Sequence, residues 1–394
     1  MLKTLIIILL SAQVFGQVWN SQRKWDVSDI ANFKSWVRTE LDRDLFIEPS
    51  SPYYGIKTDC ADAIFAYMAI YSLENQLYFQ VKLGHNIYID SDSNRFDHLP
   101  ENERLKALVH YIGANAGTYA LAYYNSYPIA LRDISAGDIY IVEWEKNGKT
   151  NRHAYMIKDF IATGHFELYS STTPVKARKL ALRKGMPLHL FNSGPWGFKR
   201  IAPYYLISKS RSDYSNEQYS MRAKWGSKFL GNLSKYLAVE EDDFNTNLKR
   251  RVGNVCDMLE GRVREVESAI TYKDKISRCM NSSEYYMYST PSRDSSLMSA
   301  MTRLLVGWKK IRKISQEEID LEINMGLDYF LGKDKSSEGR EALYNLCPVK
   351  IENSSFTMRD FFMLKRANKI SSNPNDPLRR RWGLNSPASK CPRY

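Results

Sequence analysis

Two residues of this chain have the types and the order that thiol chemistry needs. Cys60 lies in YYGIKTDCADAIFAYMAIYS (53–72) and His153 in RHAYMIKDF (152–160). Asp59 stands where a helix N-cap would, with Asp62 three residues on, an acidic variant of the capping box. Cys60 therefore falls in the first turn of the helix that follows. A thiol there meets the positive end of the helix dipole and unpaired backbone N–H groups, which favour the nucleophilic thiolate. A nucleophile also needs a base, and the strand expected at 152–160 would alternate His153, Tyr155 and Ile157 onto one face. A third polar group should hold the imidazole. The next run, HFELYSST, offers Glu167 or Ser170; His165 could compete for that role, but beside a turn it reads as solvent-exposed.

The cysteine count sharpens the interest in Cys60. The N-terminus, MLKTLIIILLSAQVFGQ, has one Lys, an apolar run and small residues up to Gly16, the pattern of a secretory signal peptide (1–16). Its apolar run is shorter than the ~20 residues that span a bilayer. The mature protein, starting at Gln17, is expected to be secreted or periplasmic. In such an oxidising compartment cysteines pair and come in even numbers. The chain has five: Cys60, Cys256, Cys279, Cys347 and Cys391. Proximity in sequence favours Cys256–Cys279 and Cys347–Cys391, and leaves Cys60 over.

The elements that must position these residues can also be read. Apolar residues at Ile30, Phe33, Trp36, Val37 and Leu41 recur with a helical period, with Ser28 as N-cap. The helix opened by Asp59 is apolar nearly all round, so it should be central. Another helix fits 103–115. From Asp133 the texture changes to β-branched and aromatic runs cut by Ala-Gly-Asp, Asn-Gly and Thr-Gly. They predict an antiparallel meander of strands near 138–144, 152–160 and 165–171, with a further strand in GPWGFKRIAPYYLI. Beyond Ser212 the signal is helical. Phe244, Leu248, Val252, Val255, Leu259, Val263, Val266 and Ile270 form one long stripe, and further helices fit 295–312 and 316–331. The tail, 365–394, carries eight Lys or Arg residues against one acid, Asp376, and reads as a solvated basic terminus.

The order of helix-borne Asp-Cys, a Gly-Asp strand and a strand opening on His resembles the NlpC/P60 superfamily of papain-like cysteine peptidases and amidases, many of which cut peptidoglycan stem peptides. TDCADAIFAY takes the place of that family's Asp-Cys-Ser-Gly helix start, SAGDIYIVEW of its Pro-Gly-Asp strand, and RHAYMIKDF of its His-Val-Gly-Ile-Tyr strand. The resemblance covers about residues 50–172, with a helix-rich insertion at 73–132. It implies Cys60 as nucleophile, His153 as base and Glu167 as orienting residue. The Cys60 N–H would lie in the oxyanion hole, with Tyr54 as a helper. The fold expected is α+β. A papain-like NlpC/P60-type core, a helix-borne Cys packed on a small antiparallel sheet, occupies 17–211. An all-α domain with a basic tail occupies 212–394.

The expected function is an exported thiol hydrolase cleaving amide bonds, with the peptidoglycan stem peptide as substrate. Two alternatives stand beside it. One is a transglutaminase-like acyl transferase or protease, which runs Cys, His, then Asp. The other is a non-catalytic envelope-binding protein on a hydrolase-like fold. A net charge of +12 suits an anionic surface, and peripheral envelope association fits it. The scattered histidines lack ligand spacing, so no metal is expected. Without a P-loop or G-x-G-x-x-G, neither a nucleotide cofactor nor a nucleic-acid partner is expected.

Overall fold

The computed structural model of the chain describes residues 16–146, 148–207, 212–314 and 319–394. Nearly all of the leader read at 1–16 lies outside them. The architecture is mixed α/β, and its buried apolar side chains gather into two clusters. One draws on residues between Val18 and Leu233, the other on residues between Leu248 and Trp382. No described helix is long and apolar enough to cross a membrane.

The first helix, α1 (Val27–Thr39), is capped by Asp26 rather than Ser28. The Asp26 carboxylate accepts from the Ser28 and Asp29 N–H groups, and Asp29 reaches back to the Asp26 N–H at 2.9 Å. The Asp26 cap starts the helix two residues earlier than Ser28 would, and leaves Ser28 inside its first turn as a donor to that cap. Helix α2 (Cys60–Glu74) is central, with every residue from Cys60 to Ser72 buried, as an all-round apolar sequence requires.

The insertion at 73–132 is less helical than the sequence suggests. It contains helices α3 (Glu101–Asn115) and α4 (Thr118–Tyr124), but also a hairpin of Gln80–Gly84 with Ile87–Asp90. The hairpin's strands alternate, and Asn86 at φ +57° supplies the left-handed residue its turn needs.

The main sheet is wholly antiparallel. Its strands are β1 (Ser126–Pro128), β2 (Asp138–Lys146), β3 (Lys149–Ile161), β4 (His165–Ser170), β5 (Ala181–Gly185) and β6 (Gly197–Ile201). Their spatial order is β1-β6-β2-β3-β4-β5. The expected meander is β2-β3-β4, with His153 opposite Val142. Helices α1 and α4 are both tied to this sheet. Lys158 of β3 donates to the Val37 and Leu41 carbonyls at the end of α1 (2.7 and 2.9 Å), where a cation is favoured by the helix dipole. Lys199 of β6, buried and pushed down to about 7 by that burial, donates to the Ala122 carbonyl in the last turn of α4.

The second cluster is built on α5 (Phe244–Ile276), α6 (Pro291–Ile314), α7 (Leu321–Leu331) and α8 (Ser337–Leu346). The all-α expectation for 212–394 is corrected: a hairpin of Val349–Ile351 with Ser354–Phe356 joins this cluster, and Phe229 and Leu233 pack in the first. Leu248, Val252, Val255, Leu259 and Val266 of the long stripe are buried. Part of the stretch expected to open α7, 315–318, lies outside the described residues. The disulfides are Cys256–Cys347 and Cys279–Cys391, a correction to pairing by proximity. Cys256 lies inside α5 and Cys279 just beyond its end. At 1.5 Å per residue the rod holds them on the order of 30 Å apart, whereas a disulfide needs Cα atoms within about 7 Å. Two such bonds suit an oxidising compartment. The basic tail is corrected too: Arg381 and Trp382 are buried, and so are Asn373, Asn375 and Asp376.

The two clusters meet where α5 covers the exposed edge of β5. Asn254 of α5 accepts from the Lys184 N–H (2.9 Å) and donates to its carbonyl (2.6 Å), substituting for the missing neighbour strand. Asp257 binds Arg43 and the Leu182 N–H, and Glu265 binds Lys176 and Arg293.

Candidate functional site

Cys60 is the free cysteine of the chain. Its place at the first residue of α2 follows from the local sequence, because Asp59 and Asp62 complete the capping box. The Asp59 carboxylate accepts from the Ala61 and Asp62 N–H groups, and Asp62 accepts from the Asp59 N–H (3.0 Å). Among the described residues, no hydrogen bond occupies the Cys60 N–H. The segment before Cys60 is pinned to the chain leaving β4: Thr58 Oγ1 lies 3.1 Å from Ser171 Oγ, which bonds the Thr58 carbonyl at 3.0 Å.

The thiol, on a residue only 6 % exposed, lies 3.6 Å from Thr118 Oγ1, the first residue of α4. The backbone N–H of Ala154 on β3 also points at it. Helix α2 therefore brings Cys60 to the residue next to His153. Burial nevertheless pushes the Cys60 thiol up to about 11; the Asp59 and Asp62 charges act the same way, and Thr118 and the Ala154 N–H act against them. The depressed thiol expected at a helix N-terminus is thus corrected. The capping carboxylate takes two of the free N–H groups and adds a negative charge beside the sulfur.

His153 is half-buried and shares a face of β3 with Tyr155, the rings meeting edge-on at 4.4 Å. Burial, with the nearby His189, pushes its imidazole down to about 4, so it is neutral at pH 7. Tyr155 is raised to about 12, chiefly by burial, and accepts from the Leu188 N–H. The His189 ring stacks on Trp144 at 4.0 Å. Among the described residues, no hydrogen bond joins Cys60 Sγ to the His153 ring.

Glu167 is not brought to this place. It lies opposite Asp159, six residues along β3 from His153, which is on the order of 20 Å at strand spacing. Its carboxylate is bound to Lys184 at 2.8 Å. Ser170 is opposite Ala181, and His165 lies opposite Ile161 with its Nδ1 3.0 Å from Thr163 Oγ1. Tyr54 is 55 % exposed in the turn before α2.

Two residues beside the thiol and imidazole went unread in the sequence, Thr118 and His189; Tyr155 lies on the His153 face, as the alternation of β3 predicts. Thr118 and His189 come from the insertion and from the loop after β5, and no local motif marks either. Next to Thr118 are two part-exposed rings, Tyr119 and Tyr123, stacked at 4.1 Å, with the Arg152 guanidinium 5.9 Å from the Tyr119 ring. Among the described residues, no group of three His, Cys, Asp or Glu side chains could hold a metal.

The capping charge can be tested separately. Asn at position 59 keeps an N-cap oxygen but removes the charge. Asp59→Asn should therefore move the pH of half-maximal iodoacetamide alkylation of Cys60 downward. A shift of half a unit to one unit raises the thiolate fraction at pH 8 roughly 3- to 10-fold. The disulfides leave Cys60 to report alone in unreduced protein. An unmoved profile would mean that burial alone sets the thiol.

No protein-family model matches the chain, and no curated protein or solved structure is similar to it.

Proposed function

We propose that this chain is an exported thiol hydrolase of amide bonds, built on a papain-like NlpC/P60-type core, with the peptidoglycan stem peptide as its substrate. One observation carries the reading. The free thiol stands at the N-terminus of α2, with an unoccupied N–H of its own and the Ala154 N–H beside it, one residue from the imidazole. Glu167 has no part in it, and the pair acts as a dyad.

The resting pair is a neutral thiol and a neutral imidazole. His153 then serves as a general base: it takes the Cys60 proton as sulfur attacks the amide carbonyl. The Cys60 N–H binds the oxyanion. The imidazolium protonates the leaving amine, and water, activated by the same ring, releases the acid from the thioester. The Tyr119–Tyr123 surface adjoins Thr118, the residue that meets the thiol, and offers a substrate an apolar face to stack on.

A non-catalytic envelope-binding protein is the second reading. Its support is the burial that raises the thiol, and the absence of a carboxylate from the His153 interactions described. The deciding experiment is digestion of purified peptidoglycan by the mature protein, read by mass spectrometry. New amine and carboxyl termini within stem peptides support the hydrolase. Intact muropeptides, in a preparation that a known amidase cuts, overturn it in favour of binding.

A further inference from the structure

A cavity of about 210 Å³ lies where β5 meets α5 and α6, and its polar lining is cationic. Arg183 and Lys184 come from β5, Arg250 and Arg251 from α5 and Arg303 from α6. His165, at the start of β4, lines it too, but is pushed down to about 4 by burial and Arg250 and is neutral at pH 7. Two of these cations have carboxylate partners. Lys184 is 2.8 Å from Glu167, and Arg250 makes a two-bonded pair with Asp242 at 2.7 and 2.9 Å. Arg183 donates Nε to the Met186 carbonyl and Arg251 donates Nε to the Asn247 side chain, both neutral acceptors. Among the described residues, Arg183, Arg251 and Arg303 have no ion-pair partner.

Three uncompensated guanidiniums around one hollow repel one another. Burial lowers Arg183 and Arg251, and the charges of Arg250 and Arg303 lower both further, with Asp242 opposing at Arg251 and Tyr155 at Arg183. Val255 and Leu304 line the same cavity, and apolar walls strengthen any charge interaction inside it. A guanidinium is a planar fork of donors matched to the oxygens of phosphate or carboxylate. Three such forks with an excess of three charges exceed what one carboxylate can engage, but suit a multiply charged tetrahedral group.

We propose that this cavity is a binding site for a phosphate-class oxyanion, either the free ion or a phosphate carried on a small organic skeleton. The site joins the sheet to the helical cluster, so its occupant would brace the two against each other. It is separate from the Cys60 chemistry and stands or falls without it.

The test is thermal unfolding of the full-length protein, titrated with sodium phosphate, with glucose 6-phosphate and with sodium acetate, all at ionic strength matched by NaCl. A ligand that binds only the folded state raises Tm with the logarithm of its concentration above Kd. The expected result is such a rise with phosphate, glucose 6-phosphate or both, and none with acetate. Greater potency of the sugar phosphate identifies the carried group; equal or greater potency of phosphate identifies the free ion. Arg303 is exposed, so Arg303→Gln should fold normally and weaken binding at least tenfold. A rise that acetate or NaCl reproduces, an unchanged titration in Arg303→Gln, or no rise with either phosphate compound would overturn the proposal.

Discussion

Cys60→Ala is expected to abolish the proposed amide hydrolysis while the protein remains folded. Removing a nucleophile lowers kcat by on the order of 10⁴- to 10⁶-fold. The structural consequence is small, because the hydrogen-bond partners lost are one hydroxyl and one backbone N–H, and alanine keeps an apolar side chain in the core and suits the first turn of a helix. Circular dichroism and Tm should stay near wild type. His153→Ala should be nearly as damaging, for a reason specific to this site. Without a base the thiol must ionise alone, and burial holds it up to about 11. At pH 7.5 that leaves roughly one thiol in several thousand as thiolate. The His153→Ala rate should therefore climb about tenfold per pH unit through the alkaline range. Steady-state assays on muropeptides across pH 6–10 separate these cases. A Cys60→Ala enzyme that still cleaves, or a His153→Ala enzyme with the wild-type profile, would remove the dyad from the mechanism.

The difference between what the sequence disclosed and what the structure adds follows the range of the interactions concerned. The position of Cys60 was legible because a capping box is written in four consecutive residues, Asp59 to Asp62. The strands carrying His153 and Glu167 were legible because alternation and turn residues are local. The register between them was not. A pair of strands can be recognised without knowing which residues face each other, and here the register puts Glu167 opposite Asp159 instead of near His153. The thiol's environment was misread for a related reason. Helix position argued for a thiolate, but the burial that opposes it depends on tertiary packing around α2, which lies against β3 and α4, elements distant in sequence. The disulfides show the same logic. Cys256 and Cys279 are neighbours in the chain, yet α5 separates them, and each finds a partner beyond 90 residues away. The tail read as solvated from its charge alone, because nothing local reveals that Arg381 and Trp382 face a buried carboxylate network.

That network bears the second large effect: Asp294→Ala should destabilise the protein by about 3–5 kcal/mol, the usual result of breaking a buried ion pair by removing one partner. Asp294 of α6 and Arg262 of α5 are both fully buried and bonded at 2.6 Å. The same carboxylate accepts from Thr290 Oγ1 at 3.2 Å and Lys365 Nζ at 3.4 Å. Arg262 lies over the Trp382 ring at 4.4 Å and donates to the Arg381 carbonyl at 2.9 Å, so the pair holds the C-terminal segment onto α5. Arg381 itself is lowered to about 9, first by burial and then by Arg262, with Asp294 opposing. Without Asp294, Arg262 and Lys365 lose the carboxylate they share, and Arg381 keeps only the charges of Asp376 and Glu265. For a unit of 150–250 residues each kcal/mol moves Tm by roughly 2–4 °C, so the loss should be about 6–20 °C. The proper control is Arg262→Met together with Asp294→Leu, which removes both charges and should recover much of the loss, because paired burial is often replaceable by apolar packing. If Asp294→Ala unfolds within about 1 kcal/mol of wild type, water must reach Arg262, and the pair would not be what fastens the tail to α5.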